Sequence, residues 1–119
     1  MTAIPIEILL VEDSPGDIAL VQRGLRDGKV LNNLSVAADG VEAMEYLRGT
    51  LDGSGNAFPQ LILLDINLPR KNGHEVLAEI RGEAAFASLP VIVLTTSDQD
   101  RDVLKAYEHH ANAYITKPL

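Results

Sequence analysis

Five side chains of this 119-residue sequence could do chemistry together: the acids Glu12, Asp13 and Asp65, the hydroxyl of Thr95 and the ammonium of Lys117. Each lies at the end of an apolar run, Ile6–Val11 for the first two acids, then residues 61–64, 91–94 and Ala113–Thr116. If those runs are parallel strands, their carboxyl ends share one sheet edge, where α/β proteins meet their ligands. Carboxylates gathered there repel one another. At about 4 Å and an effective dielectric near 20, each pair costs roughly 4 kcal/mol, equivalent to about three pKa units. Such a cluster must take up protons or a cation. An all-oxygen set without His or Cys suits Mg²⁺, which takes few carboxylates and keeps several waters. Asp13 and Asp65 are the expected direct ligands, Glu12 acts through water, and a main-chain carbonyl near Asn67 adds a third protein oxygen. Lys117, a compact positive charge, and Thr95, a donor, suit a phosphoryl group on the other side. A carboxylate nucleophile, a divalent ion, a lysine and a hydroxyl together form a site for making an aspartyl phosphate, with Asp65 as nucleophile.

The elements that must position these groups can be read from periodicity. The runs Ile6–Val11, 61–64 and 91–94 are almost continuously apolar, as strands buried on both faces are. Residues 34–38 and Ala113–Thr116 are less uniformly apolar and are expected at the edges. Helices are expected between them. Ser14 can cap the first, Pro15 suits its first position, Asp17 can close a capping box, and Gly28 ends it. Asp39-Gly40 turns into a second helix carrying Val41, Met44 and Leu47; a third carries Val76, Leu77 and Ile80; a fourth spans residues 98–110. Residues 49–59, rich in Gly, Ser, Asn and Asp, form a long surface loop. Strands alternating with helices give a doubly wound α/β fold, with a parallel five-stranded sheet in the flavodoxin-like order 2-1-3-4-5. The sequence stops just after the fifth strand. One sheet face is then covered by the first helix alone, and a final amphipathic helix is expected after Leu119.

Length and composition bound the rest. Residues 1–119 suit a single domain with its own core. With no cysteine, disulfides and thiolate zinc sites are excluded. A net charge of −7 without a basic patch argues against nucleic acid as a partner. Neither a signal peptide nor a membrane-spanning apolar stretch is visible, so a cytoplasmic location is the expectation. His109 and His110 fit a helix end, His74 reads as a solvated loop residue, and these three histidines build no metal cluster.

Taken in order, Val11-Glu12-Asp13, Leu64-Asp65-Ile66-Asn67-Leu68-Pro69 with Gly73, Leu94-Thr95-Thr96 and Tyr114-Ile115-Thr116-Lys117-Pro118 resemble a response-regulator receiver domain of two-component signalling. The resemblance spans nearly the whole chain. Val11-Glu12-Asp13-Ser14-Pro15-Gly16-Asp17, Leu68-Pro69-Arg70-Lys71-Asn72-Gly73 and Ala111-Asn112-Ala113-Tyr114 are similar to stand-alone regulators paired with bacterial phytochromes. The resemblance implies that Asp65 accepts phosphate from a sensor histidine kinase, a phytochrome in the narrower reading, with Mg²⁺ held by Asp13, Asp65 and the Asn67 carbonyl. It implies a phosphoacceptor that assists its own phosphorylation and dephosphorylation, not an enzyme acting on a separate substrate. Lys117 and Thr95 would contact the phosphoryl group, Asn67 and Ser97 would flank it, and Lys117-Pro118 would be a cis bond. Tyr114 would turn inward as Thr95 moves, reshaping a face of the fourth helix and last strand through which partners, or a second copy, would bind. Thr96 is bulkier than is usual in such domains, and the 49–59 loop is longer.

Other functions fit less well. An aspartyl-nucleophile phosphatase also begins with an acid after a strand, but it wants a second Asp two residues on, where this chain has Asn67. A flavodoxin-like FMN binder needs a phosphate loop after the first strand, and Glu12 and Asp13 would repel that phosphate. A phosphorylation-independent binding module on the same fold leaves the complete acceptor set without a purpose.

Overall fold

The apolar run Ile6–Val11 forms β1, at the heart of a parallel sheet in the computed structural model, which describes residues 4–95 and 110–117. The other strands are β2 (Asn32–Ala37), β3 (Leu61–Asp65), β4 (Val91–Thr95) and β5 (Ala113–Thr116). Their order is β2-β1-β3-β4-β5, with every pairing parallel. The solidly apolar strands are central and the less uniform ones lie at the edges, as burial on two faces against one requires. β2 starts two residues earlier than its own pattern predicts, because its length is set by β1: the register runs from Ile6↔Asn32 to Val11↔Ala37.

Three helices are described: α1 (Pro15–Asp27), α2 (Gly40–Gly49) and α3 (Gly73–Gly82). Each begins at a polar cap, Ser14, Asp39 or Asn72, whose side chain accepts a first-turn N–H. Alternate strand residues divide the core between the two sheet faces. Leu9, Val11, Ile62, Leu64, Val91 and Val93 pack with Met44 and Leu47 of α2, Val76, Leu77 and Ile80 of α3, and Phe86. Ile8, Leu10, Leu63 and Leu94 face α1 through Val21, Ile18 and Leu25. Among the described helices α1 alone packs in that second cluster, and beside it an apolar groove of about 250 Å³ runs along Leu61, Leu63, Ile92 and Ile115.

The 49–59 loop is tied to its surroundings. Asn56 Nδ2 donates to the Tyr46 carbonyl (3.1 Å), Tyr46 Oη donates to the Ala57 carbonyl (2.7 Å), and Phe58 stacks on Phe86. No helix among the described residues is long and apolar enough to cross a membrane. The expected helix over 98–110 falls almost wholly outside the described residues, as do Thr96, Ser97, His109 and Pro118, and with Pro118 the expected cis bond.

Candidate functional site

Because all five strands run the same way, β1, β3, β4 and β5 deliver their last residues to one edge. Glu12 follows β1 and is held there by its N–H donating to the Ala37 carbonyl (2.9 Å). It is 1% exposed, whereas Asp13 beside it is exposed. Asp65, the last residue of β3, is 3% exposed and pairs with Leu94 of β4. Thr95 closes β4 at 2% exposure, and its carbonyl accepts the Lys117 N–H.

Lys117 comes just after β5 and reaches back over the sheet edge. Its Nζ donates to Glu12 Oε2 at 2.6 Å and Asp17 Oδ2 at 2.8 Å, and stands 3.3 Å from Asp65 Oδ1. Its side chain is only 7% exposed. An ammonium has three protons, and three carboxylates from β1, α1 and β3 surround this one.

Glu12, Asp13 and Asp65 each present a carboxylate oxygen within 4.8 Å of the others. The convergence expected from the strand ends is therefore present. The donors are all oxygen, fitting a hard divalent cation better than a soft one. Burial, with the nearby Glu12 charge, raises the Asp65 carboxyl to about 6 against the opposing pull of Lys117. Burial works against the charged Lys117, but the hydrogen bonds it donates to Asp17 and Glu12, with the fields of Asp65 and Glu12, outweigh it and hold its pKa above the ordinary lysine range. The site thus holds excess negative charge that one lysine does not balance.

The loop after β3 is fixed from several sides. Ile66 N donates to the Leu94 carbonyl (3.0 Å) and Gly73 N to the Ile66 carbonyl (2.9 Å). Exposed Asn67 lies between buried Ile66 and Leu68, and its N–H donates to Asp65 Oδ1 at 3.4 Å. At Gly73 a Cβ would collide with the Asp65 carbonyl, so only glycine lets α3 start this close to β3. Arg70 adopts φ 62°, in the left-handed region, and its guanidinium grips Asp39 bidentately (Nε to Oδ2 2.8 Å, Nη2 to Oδ1 2.9 Å). The Glu42 N–H, then Arg70, hold the Asp39 carboxyl below its usual range, against some desolvation.

Two readings of the sequence change here. Asp17 does not serve as the second half of a capping box. Ser14 Oγ accepts the Asp17 N–H (3.3 Å), but Ser14's own N–H goes to Glu12 Oε1 (3.2 Å), and the Asp17 carboxylate goes to Lys117. His74 is not a solvated loop residue. The reciprocal cap of Asn72 and Glu75 starts α3 at Gly73 and turns His74 inward, where it is 8% exposed. Tyr114, on β5, is 36% exposed. In the sequence Asp39 reads only as a turn residue and Arg70 only as part of the loop after β3, and nothing local pairs them.

A family model described as a response regulator receiver domain matches residues 8–119. The chain is 46% identical over 113 residues to response regulator Rcp1 of Synechocystis sp., covering 95% of this chain and 77% of Rcp1. It is 40% identical over 115 residues to the probable methanogenesis regulatory protein FilR2 of Methanothrix harundinacea, covering 97% and 74%. Among solved structures, it is similar to the phosphorylated cyanobacterial phytochrome response regulator RcpA, with a TM-score of 0.87, 44% identity and coverage of 96% and 81%. It is equally similar to the Mn²⁺-bound form of Rcp1, with a TM-score of 0.86, 46% identity and coverage of 95% and 81%.

Proposed function

The chain belongs to the response regulator receiver family, and on that premise we propose that Asp65 receives a phosphoryl group from the phosphohistidine of a sensor kinase. An Asp65 carboxylate oxygen attacks the phosphorus. The bond from phosphorus to the kinase imidazole breaks, its electron pair stays on nitrogen, and an acyl phosphate remains on Asp65. Lys117 places its positive charge against the transferred oxygens, and Thr95, at the end of the adjacent strand, donates its hydroxyl to one of them. Asp13, Asp65 and the Asn67 carbonyl would hold a magnesium ion, with Glu12 acting through a water. When bound, that ion neutralises the crowded carboxylates and the charge of the incoming group.

The observation that carries this reading is Lys117 Nζ lodged between Glu12 and Asp65, beside the acid cluster that Asp13 completes. A lysine buried to this degree among carboxylates is a poor device for stability alone. It is well placed to receive a dianion.

Phosphorylation then shifts a pre-existing equilibrium between two conformations. Residues 1–119 act as one receiver domain whose output is a protein contact. The β5 edge, where Tyr114 and Ile115 are exposed, supplies part of the contacting face for a partner or a second copy. Similarity to RcpA supports a phytochrome as the donor kinase, and a cytoplasmic location agrees with that reading.

Incubation with acetyl phosphate and Mg²⁺, followed by intact-mass measurement, tests the assignment. One added phosphoryl group is expected, and none in Asp65→Asn. Equal labelling of that variant would move the site elsewhere.

A further inference from the structure

Lys117 has more partners than phosphoryl binding calls for. Its Nζ is closer to Glu12 (2.6 Å) and Asp17 (2.8 Å) than to Asp65 (3.3 Å), so two carboxylates draw the ammonium away from the acceptor. A phosphoryl group on Asp65 adds anionic oxygens beyond the carboxylate, and Lys117 must turn toward them. Closer approach to those oxygens lengthens the contacts with the two restraining partners, and the one that yields is the one water can most easily replace. Glu12 is 1% exposed at its side chain and would be left buried and unpaired, an expensive outcome. Asp17 is 31% exposed and projects from the first turn of α1, where water can take over its hydrogen bonds. Its charge also opposes an incoming dianion.

Resting on the reading of Asp65 as acceptor, we infer that Asp17 is a positioning residue that competes with the phosphoryl group for Lys117, so that its negative charge weakens phosphoryl binding and speeds release. In the unphosphorylated state Asp17 holds the lysine; in the phosphorylated state it gives the lysine up to the new oxygens. An acid at this position therefore lowers the occupancy of the phosphorylated state reached from a given donor.

The test compares the chain with Asp17→Asn, Asp17→Ser and Asp17→Glu. Beryllofluoride, a tetrahedral mimic of a phosphoryl group on a carboxylate, is titrated in saturating Mg²⁺ and followed by ¹⁹F NMR. A partly exposed ion pair in competition predicts roughly fivefold tighter binding in Asp17→Asn. The same gain is expected in Asp17→Ser, and binding within about twofold of the original in Asp17→Glu, which keeps the charge. Damage to α1 would weaken binding, so a gain cannot come from lost structure. Unchanged or weaker binding in both neutral variants overturns the inference. A chain that acetyl phosphate does not label at all refutes the acceptor reading itself, whatever the Asp17 variants do.

Discussion

The excess of negative charge at the sheet edge makes a prediction about stability that is independent of phosphorylation. Asp65→Asn keeps the shape of the side chain and removes one charge. The Asp65 carboxyl rises from 3.8 to about 6 on folding, through burial first and Glu12 second. Roughly two pH units at about 1.4 kcal/mol each make the ionised group cost about 3 kcal/mol in the folded chain. Its sign follows from linkage. Between pH 4 and 6 the folded state binds more protons at this position than the unfolded state does, so stability falls as pH rises and the full cost is present above about pH 6. Urea unfolding in the presence of a chelator, repeated from pH 4 to pH 8, is the assay. The original chain and Asp65→Asn should be close in stability near pH 4, and the variant should be more stable by about 2–3 kcal/mol at pH 7.5. Saturating Mg²⁺ should remove most of that advantage, because a cation bound to the folded state alone stabilises the acid-bearing chain. A difference that stays flat with pH, or a variant less stable at pH 7.5, would refute the claim that Asp65 is ionised at a cost.

Three other perturbations probe the parts around it. Asp13→Ala removes the exposed member of the acid cluster and should weaken Mg²⁺ binding at least tenfold by calorimetry, with little change in unfolding midpoint; unchanged affinity would remove Asp13 from the metal shell. Gly73→Ala forces a methyl against the Asp65 carbonyl and should cost about 1–3 kcal/mol in urea unfolding, whereas a neutral result would mean that the β3–α3 junction relaxes freely. Arg70→Gly relieves a left-handed backbone and should unfold about 1 kcal/mol later than Arg70→Ala. Both variants lose the Asp39 pair that anchors the loop bearing Asn67, so both should bind Mg²⁺ more weakly; tight binding in either would show that the loop holds its place without Arg70.

Much of this arrangement can be read without coordinates because it follows from strand ends. Continuous apolar runs that stop on Glu12-Asp13, Asp65 and Thr95, and a less uniform one that stops on Lys117, place those residues on one edge once the strands are parallel, and parallelism follows from the alternation with helices. Strand order is legible because burial on two faces leaves a different pattern from burial on one. What the sequence hides is choice among partners. Asp17 has the right type and spacing for a local capping bond, and nothing local reveals that Lys117, a hundred positions away, claims its carboxylate instead. His74 follows a glycine that marks a loop, and only the Asn72–Glu75 cap moves the helix start far enough back to bury it. Arg70 and Asp39 are 31 positions apart on different connections, and their pairing depends on how α2 and the β3–α3 loop meet. The start of β2 is likewise imposed by β1, not by its own residues.

The central claim is that Asp65, and no other acid of the cluster, becomes the acyl phosphate. Reduction of the acetyl-phosphate-treated protein with borohydride converts an aspartyl phosphate to homoserine, and peptide mass spectrometry then reads the position. Homoserine at residue 65 alone is the predicted result. Unmodified aspartate at 65 with homoserine at 13 or 17, or with the corresponding alcohol at Glu12, would contradict it.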